Sequence, residues 1–207
     1  MHFDPDRMYR GSFLPHCEGR GRPQMITIRL GDSLPRAVYK QLKTQAASEA
    51  ERHSLVHSYL DQGRGSCLLR RRDVAKIVQY TLAFYDGNYY SLGDWVIMPN
   101  HIHFVYREPR QPIGKILQDL KSYTAVTINR LLDRGGEPFW QRDYFDRNAR
   151  NDRQLSNMGF YTLLNPVQAG LVSDPFDWEF SSIPGYPPKC KEHRRRRYGQ
   201  RRPQSSD

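Results

Sequence analysis

The stretch Val96–Tyr106, VIMPNHIHFVY, constrains this chain more than any other. On either side of Pro99-Asn100 the residues are mostly apolar, and many are β-branched or aromatic, the composition that suits a pleated, half-buried surface. A two-residue break between two such runs predicts a tight hairpin. Tyr89–Met98 and His101–Arg107 are therefore expected to be antiparallel neighbours. Side chains alternate faces along a strand. Ile102, Phe104 and Tyr106 then point into a core, and His101, His103 and Val105 point to the other, open side. Two imidazoles about 7 Å apart along one strand can converge on a single ion. The same spacing also suits two half-exposed histidines with no ligand.

The flanking segments give the hairpin its partners. Met25–Leu30 alternates Ile26 and Ile28 with polar neighbours and reads as a strand. Ser33, with Pro35 behind it, opens one helix running toward Tyr59, with Val38, Leu42, Ala46, Leu55 and Val56 inward. Gly63-Arg64-Gly65 ends it. Asp73 caps a second helix with the stripe Val74, Ile77, Val78 and Leu82, which stops at Asp86-Gly87. Pro112 opens a long helix carrying Ile113, Ile116, Leu117, Leu120, Ile128 and Leu131 at helical spacing. Asn151-Asp152 caps a last helix, which Pro166 is expected to terminate. Mixed strands and helices around a central hairpin imply an α+β fold, a ferredoxin-like sandwich. Its antiparallel sheet carries the His-x-His strand, with helices packed on one face. The expected organisation is an irregular arm over 1–24, a folded domain over 25–183 and a basic tail over 184–207.

Charge narrows the partner. Lys plus Arg is 32 against 22 Asp plus Glu, a net charge of +10. A surplus of that size points to a polyanion, most often nucleic acid. Part of it is the run Arg194, Arg195, Arg196 and Arg197. The 3 cysteines are far apart and form no Cys-x-x-Cys, which argues against a disulfide framework or a cysteine zinc site. No window reaches the roughly 18 apolar residues of a membrane span, and no signal-peptide core opens the chain. A cytoplasmic protein with no membrane partner is expected.

Several segments, in order, resemble one family. Trp95–Phe104 is similar to the His-hydrophobic-His signature of single-strand DNA transposases that use one tyrosine. Within these it resembles the REP-associated tyrosine transposases of bacteria. Phe139-Trp140-Gln141 with Tyr144-Phe145-Asp146-Arg147 resembles the family's Trp-Gln segment. Tyr161–Val172 resembles its tyrosine helix, and Trp178–Ser182 the segment after it. The similarity runs from about Met25 to Ser182.

Among 13 tyrosines, spacing alone leaves Tyr123, Tyr144 and Tyr161 open. Tyr161 has the stronger case, because Asn165 four residues on shares its helix face. The resemblance makes Tyr161 the nucleophile and Asn165 the third protein contact, beside His101 and His103, to a divalent metal. It implies Mg or Mn, although imidazoles favour softer ions; Mn is the compromise. Gly159, inside the predicted helix, implies either flexibility or a close packing contact. Arg142, Arg147, Arg150 and Arg153 surround the Tyr161 helix and its leading loop, placed to clamp phosphates. Trp140, Tyr144 and Phe145 are candidates to stack on bases, with a core anchor the alternative for Trp140 and Phe145. Arg194–Arg197 would add phosphate contacts. The implied activity is metal-dependent cleavage and rejoining of single-stranded DNA at REP-like hairpins through a 5′-phosphotyrosine. The protein would act as a monomer or homodimer. The alternative is a non-catalytic hairpin-binding regulator of the same fold.

Overall fold

The expected hairpin forms and supplies half of the main sheet. In this computed structural model, residues 8–10, 15–17, 21–108 and 110–185 are described. Strands β1 (Met8–Arg10) and β2 (Pro15–Cys17) pair antiparallel by themselves. The main sheet contains β3 (Gln24–Arg29), β4 (Ser91–Ile97), β5 (His101–Arg107) and β6 (Phe145–Asn148). Its order is β4-β5-β3-β6, antiparallel throughout. The Met98 N–H donates to the His101 carbonyl at 2.8 Å and closes the two-residue turn at Pro99-Asn100.

Register assigns each side chain to a face. Ile26 stands opposite Phe104 and Ile28 opposite Ile102, while Thr27 stands opposite His103 and Met25 opposite Val105. The Ile26/Ile28/Ile102/Phe104/Tyr106 side packs against α3 (Arg72–Tyr85) and α4 (Ile113–Leu131), the main core. Burying a side chain such as Phe104, fully enclosed here, contributes roughly 1.5–3 kcal/mol.

The opposite face, expected to be open, is also covered. Met25 and Val105 are apolar on that side, and Met158 and Leu155 of α5 (Asp152–Gln168) cover them. Toward its β6 edge, Phe145 packs with Val56 and Leu60 of α2 (Glu49–Asp61). The antiparallel α+β sheet thus has helices on both faces, not one.

Two helix boundaries also differ from expectation. The helix expected from Ser33 to Tyr59 is two helices, α1 (Arg36–Gln45) and α2. Ser48 ends the continuity: its Oγ accepts from Glu51 N–H, and the Glu51 carboxylate accepts in turn from Ala47 N–H at 2.7 Å. This reciprocal capping starts a new helix inside the apolar pattern. Pro166 does not end α5; it lies inside the last turn. Gly170 ends it, at φ +68°, where only a residue without Cβ is at ease. Gly170 N–H donates to Val167 O and Leu171 N–H to Pro166 O, closing the left-handed cap.

Candidate metal and tyrosine site

The site occupies the sheet face under α2 and α5. His101 and His103 are fully buried there, and their Nε2 atoms lie 3.0 Å apart. The convergence expected from the strand's two-residue repeat is therefore present. Asn100 sets the first ring. Its amide nitrogen donates to the carbonyls of Leu60 (3.1 Å) and Arg64 (2.9 Å), so its Oδ1 must accept from His101 Nδ1 at 2.7 Å. Neutral His101 then carries its hydrogen on Nδ1 and presents a bare lone pair at Nε2. His103 Nδ1 meets the Thr27 hydroxyl at 2.8 Å, a group able to donate or accept. With Thr27 donating, His103 carries hydrogen on Nε2; with Thr27 accepting, both Nε2 lone pairs are free for one ion.

Burial keeps the imidazoles neutral, the state a metal ligand needs. His101 falls to about 3 by desolvation. Desolvation, then His53, His101 and Arg147, holds His57 well below the ordinary histidine value, and desolvation, then His101, His57 and His53, does the same to His103. Burial, aided by Arg147 and Arg52, lowers His53 to about 4. The Tyr161 ring stands edge-on to His103 (5.7 Å between centroids) and to His57 (5.8 Å). Burial first, then the nearby Asp61 carboxylate, pushes its phenol well above the usual tyrosine value. Asp61 itself rises to about 6 by burial, opposed by Asn165. The Asn165 amide is fully buried and close enough to bias Asp61, His101 and Tyr161. Neither of its polar atoms completes a hydrogen bond.

Tyr161 lines a cavity of about 800 Å³ with His57, Asp61, Arg147 and Gln154. Arg147 and Gln154 also line an adjoining cavity of about 380 Å³, with Arg22 and Arg150. Two of the four arginines singled out in the sequence, Arg147 and Arg150, are thereby brought to the site. Arg142 lines a separate groove of about 1080 Å³ beside α4. Arg153 is exposed in the first turn of α5 and lines none of these cavities. Arg194–Arg197 lie outside the described residues.

The stacking expectation is corrected. Trp140, Tyr144 and Phe145 are 8 %, 6 % and 8 % exposed and belong to hydrophobic clusters. The Trp140 indole N–H donates to Thr124 Oγ1 at 2.8 Å. All three are core anchors, although Trp140 and Tyr144 also touch the groove beside α4. Sequence reasoning missed Thr27, Asn100, His53, His57 and Asp61. The signal available for the last three was their four-residue spacing, which puts them on one helix face.

Known proteins share parts of this sequence and its fold. Residues 68–161 match the family model described as "Transposase IS200 like". The chain is 23% identical over 96 residues to a REP-associated tyrosine transposase of Escherichia coli, covering 45% of this chain and 54% of that protein. It is 27% identical over 99 residues to a putative REP-associated tyrosine transposase of Haemophilus influenzae, covering 42% and 55%. The chain thus matches about half the length of these curated relatives. A solved REP-associated tyrosine transposase bound to a REP hairpin shares the fold, with TM-score 0.57 at 17% identity over 87% of this chain and 88% of that one. No described helix is long and apolar enough to cross a membrane. Residues 68–161, which include both histidines and the tyrosine, match the IS200-like transposase family model, and the chain shares the fold of a REP-associated tyrosine transposase.

Proposed function

We propose that the protein is a metal-dependent single-strand DNA transposase and endonuclease that cuts and rejoins strands at REP-like hairpins through Tyr161. One observation carries the reading: two neutral imidazoles with Nε2 atoms 3.0 Å apart, and the Tyr161 ring against one of them on the wall of an arginine-edged cavity. His101, His103 and the Asn165 amide oxygen would hold the divalent cation. The donor set fits such an ion. His101 offers a bare nitrogen, and Asn165 offers a buried oxygen with no other partner. Mixed nitrogen and oxygen donors suit Mn better than Mg, and the cofactor is one of the two. When bound, it supplies Lewis-acid polarisation of a phosphate oxygen.

The chain's own residues do the rest. The Tyr161 oxygen attacks phosphorus, and the bond from phosphorus to the 3′ oxygen breaks. The phosphate stays on tyrosine as a 5′-phosphotyrosine, and the 3′ oxygen leaves as a hydroxyl. One proton departs Tyr161 and one arrives at the 3′ oxygen. The phosphodiester is exchanged, so the reverse attack reseals the strand without an energy source. Arg147 beside Tyr161, with Arg22 and Arg150 next to it, neutralises flanking phosphates. Arg142, Arg153 and Arg194–Arg197 extend that contact outside the cavity. A relative solved on a REP hairpin supports hairpin DNA as the partner, met in the cytoplasm by a monomer or homodimer.

The test is incubation with single-stranded DNA from palindromic repeats, with Mn or with EDTA, followed by denaturing electrophoresis. A Mn-dependent DNA–protein adduct is expected, absent in Tyr161→Phe, while hairpin binding persists. A wild-type protein that binds the hairpin and Mn yet forms no adduct would leave only the regulator reading standing.

A further inference from the structure

Helix α2 precedes the residues matched by the family model. It nevertheless turns three polar side chains, His53, His57 and Asp61, to the histidine pair. The His57 ring stacks on His103 with centroids 4.9 Å apart, and His53 lies tilted against His57 at 3.9 Å. Asp61 Oδ1 lies 3.8 Å from His101 Nε2. That approach is not an ion pair. Asn100 places the His101 hydrogen on Nδ1, so the carboxylate oxygen faces a lone pair. The Asn165 amide alone opposes the cost of burying it: Asp61 Oδ1 is sealed from solvent without completing a hydrogen bond, as are both amide atoms of Asn165 and both ring nitrogens of His57. Leaving one such group unpaired costs about 1–3 kcal/mol. Several around one histidine pair suit a bound ion or water.

We infer that Asp61 is an oxygen ligand of the divalent cation, so that α2 completes a centre shared with β5 and α5. This rests on the reading of His101 and His103 as metal-holding residues. Among the described residues no three His, Cys, Asp or Glu side chains stand where they could hold a metal ion as they are, so Asp61 has to move to join the two histidines. Neighbouring donors on one octahedral ion with bonds of about 2.1 Å lie roughly 3 Å apart, the present spacing of the two imidazoles. The Asp61 oxygen, at 3.8 Å, has under 1 Å to travel. Asn100 holds the backbone that carries it, bonding the carbonyls of Leu60 and Arg64 on either side. One amide therefore sets the His101 tautomer and the position of Asp61 together.

The test is Mn²⁺ binding by calorimetry and Mn electron paramagnetic resonance on the full chain, with thermal melts in EDTA. Asp61→Asn is expected to weaken Mn²⁺ binding by at least about 10-fold and to change the resonance of the bound ion. Its melting temperature in EDTA should equal or exceed that of wild type, because an uncompensated carboxylate has gone. Asp61→Glu, which keeps the carboxylate, should recover part of the affinity. Unchanged Mn²⁺ affinity in Asp61→Asn, with affinity lost in His103→Ala, would overturn the assignment and leave the tyrosine chemistry intact. A melting temperature lowered in EDTA with unchanged affinity would do the same, by showing Asp61 to be a structural group. Failure of the parent reading looks different: wild type would bind no Mn²⁺, or His101→Ala and His103→Ala would bind it as tightly as wild type.

Discussion

On the α3–α4 face of the sheet the buried polar groups are nearly all spoken for; on the α2–α5 face, over the same strands, they are not. Beneath α4, Trp140 donates to Thr124, and Thr124 donates to the Leu120 carbonyl at 2.7 Å. The Lys121 ammonium serves the carbonyls of Gln141, Arg142 and Asp143 at 3.0, 3.0 and 3.4 Å. The Tyr90 hydroxyl reaches Leu82 O. Among the described residues there, Asn129 Oδ1 is the unpaired atom. Beneath α2 and α5, His57, Asp61, Thr162 and Asn165 all keep buried atoms without partners. A face built for stability pairs its polar groups; a face that keeps several unpaired around two histidines is arranged for something that binds.

The largest expected effect tests whether the α2–α5 face is loose as well as unpaired. A Cβ on Gly159 would overlap Asp94 Oδ2 and sit 3.1 Å from Asp94 Cγ. Asp94 is 5 % exposed, so it has little room to turn. Gly159→Ala should lower unfolding stability by up to about 3 kcal/mol in urea, despite the better helix propensity of alanine. A neutral or stabilising result would show that α5 can shift off β4. The face would then be mobile, not tightly packed with selected gaps.

A smaller effect, opposite in sign on the two faces, sharpens the comparison. Thr124→Val keeps the shape and strips the Trp140 indole of its acceptor, which should cost about 1–3 kcal/mol. Asn165→Leu removes a buried amide that has no partner to lose, so in EDTA it should be neutral or stabilising by about 1 kcal/mol. Denaturant melts of both variants at one pH decide it. Two losses of equal size would mean that the Asn165 amide is satisfied in solution, and the contrast between the faces would fail.

What could be read from sequence follows the same division. The apolar face was legible because its signal is local: alternation in His101–Arg107 and the stripes of α3 and α4 name their own inward residues. The convergence of His101 and His103 was legible for that reason too. The Ser48 cap was not, since Ala46 and Leu55 continue the apolar pattern across the break. Trp140 and Tyr144 carry no mark separating a stacking platform from a core anchor, and the Thr124 bond that decides for Trp140 spans 16 residues. The role of α2 was hardest to see. Its apolar residues, Val56 and Leu60, lie beside His57 and Asp61 in sequence, so the histidine face reads as a gap in a stripe. Only the fold brings that face within 3.8 Å of a strand forty residues away. Gly159 resolves toward the close contact, with Asp94 as the neighbour.

The smallest expected effect asks whether the paired face is free of electrostatic cost. Burial lowers Lys121 from its ordinary value of 10.5 to about 8, with Asp143 opposing and Arg29 assisting. Three carbonyls do not fully replace water around an ammonium. Between about pH 8 and 10.5 the unfolded chain therefore holds more of this proton than the folded one. Stability rises wherever the unfolded state binds more protons, so Lys121 adds stability as pH climbs through that window and adds no slope below it. The slope from one such group is at most about 1.4 kcal/mol per pH unit. Lys121→Met removes the titration, and the difference between wild type and variant isolates it from tyrosines that titrate nearby. Urea melts at pH 7, 8, 9 and 10 should show wild type gaining on the variant only above about pH 8. Parallel pH profiles would mean that Lys121 is as well solvated by its three carbonyls as by water. The α3–α4 face would then be satisfied in charge, with Asn129 Oδ1 its one unpaired buried atom among the described residues, and the contrast with the histidine face would sharpen.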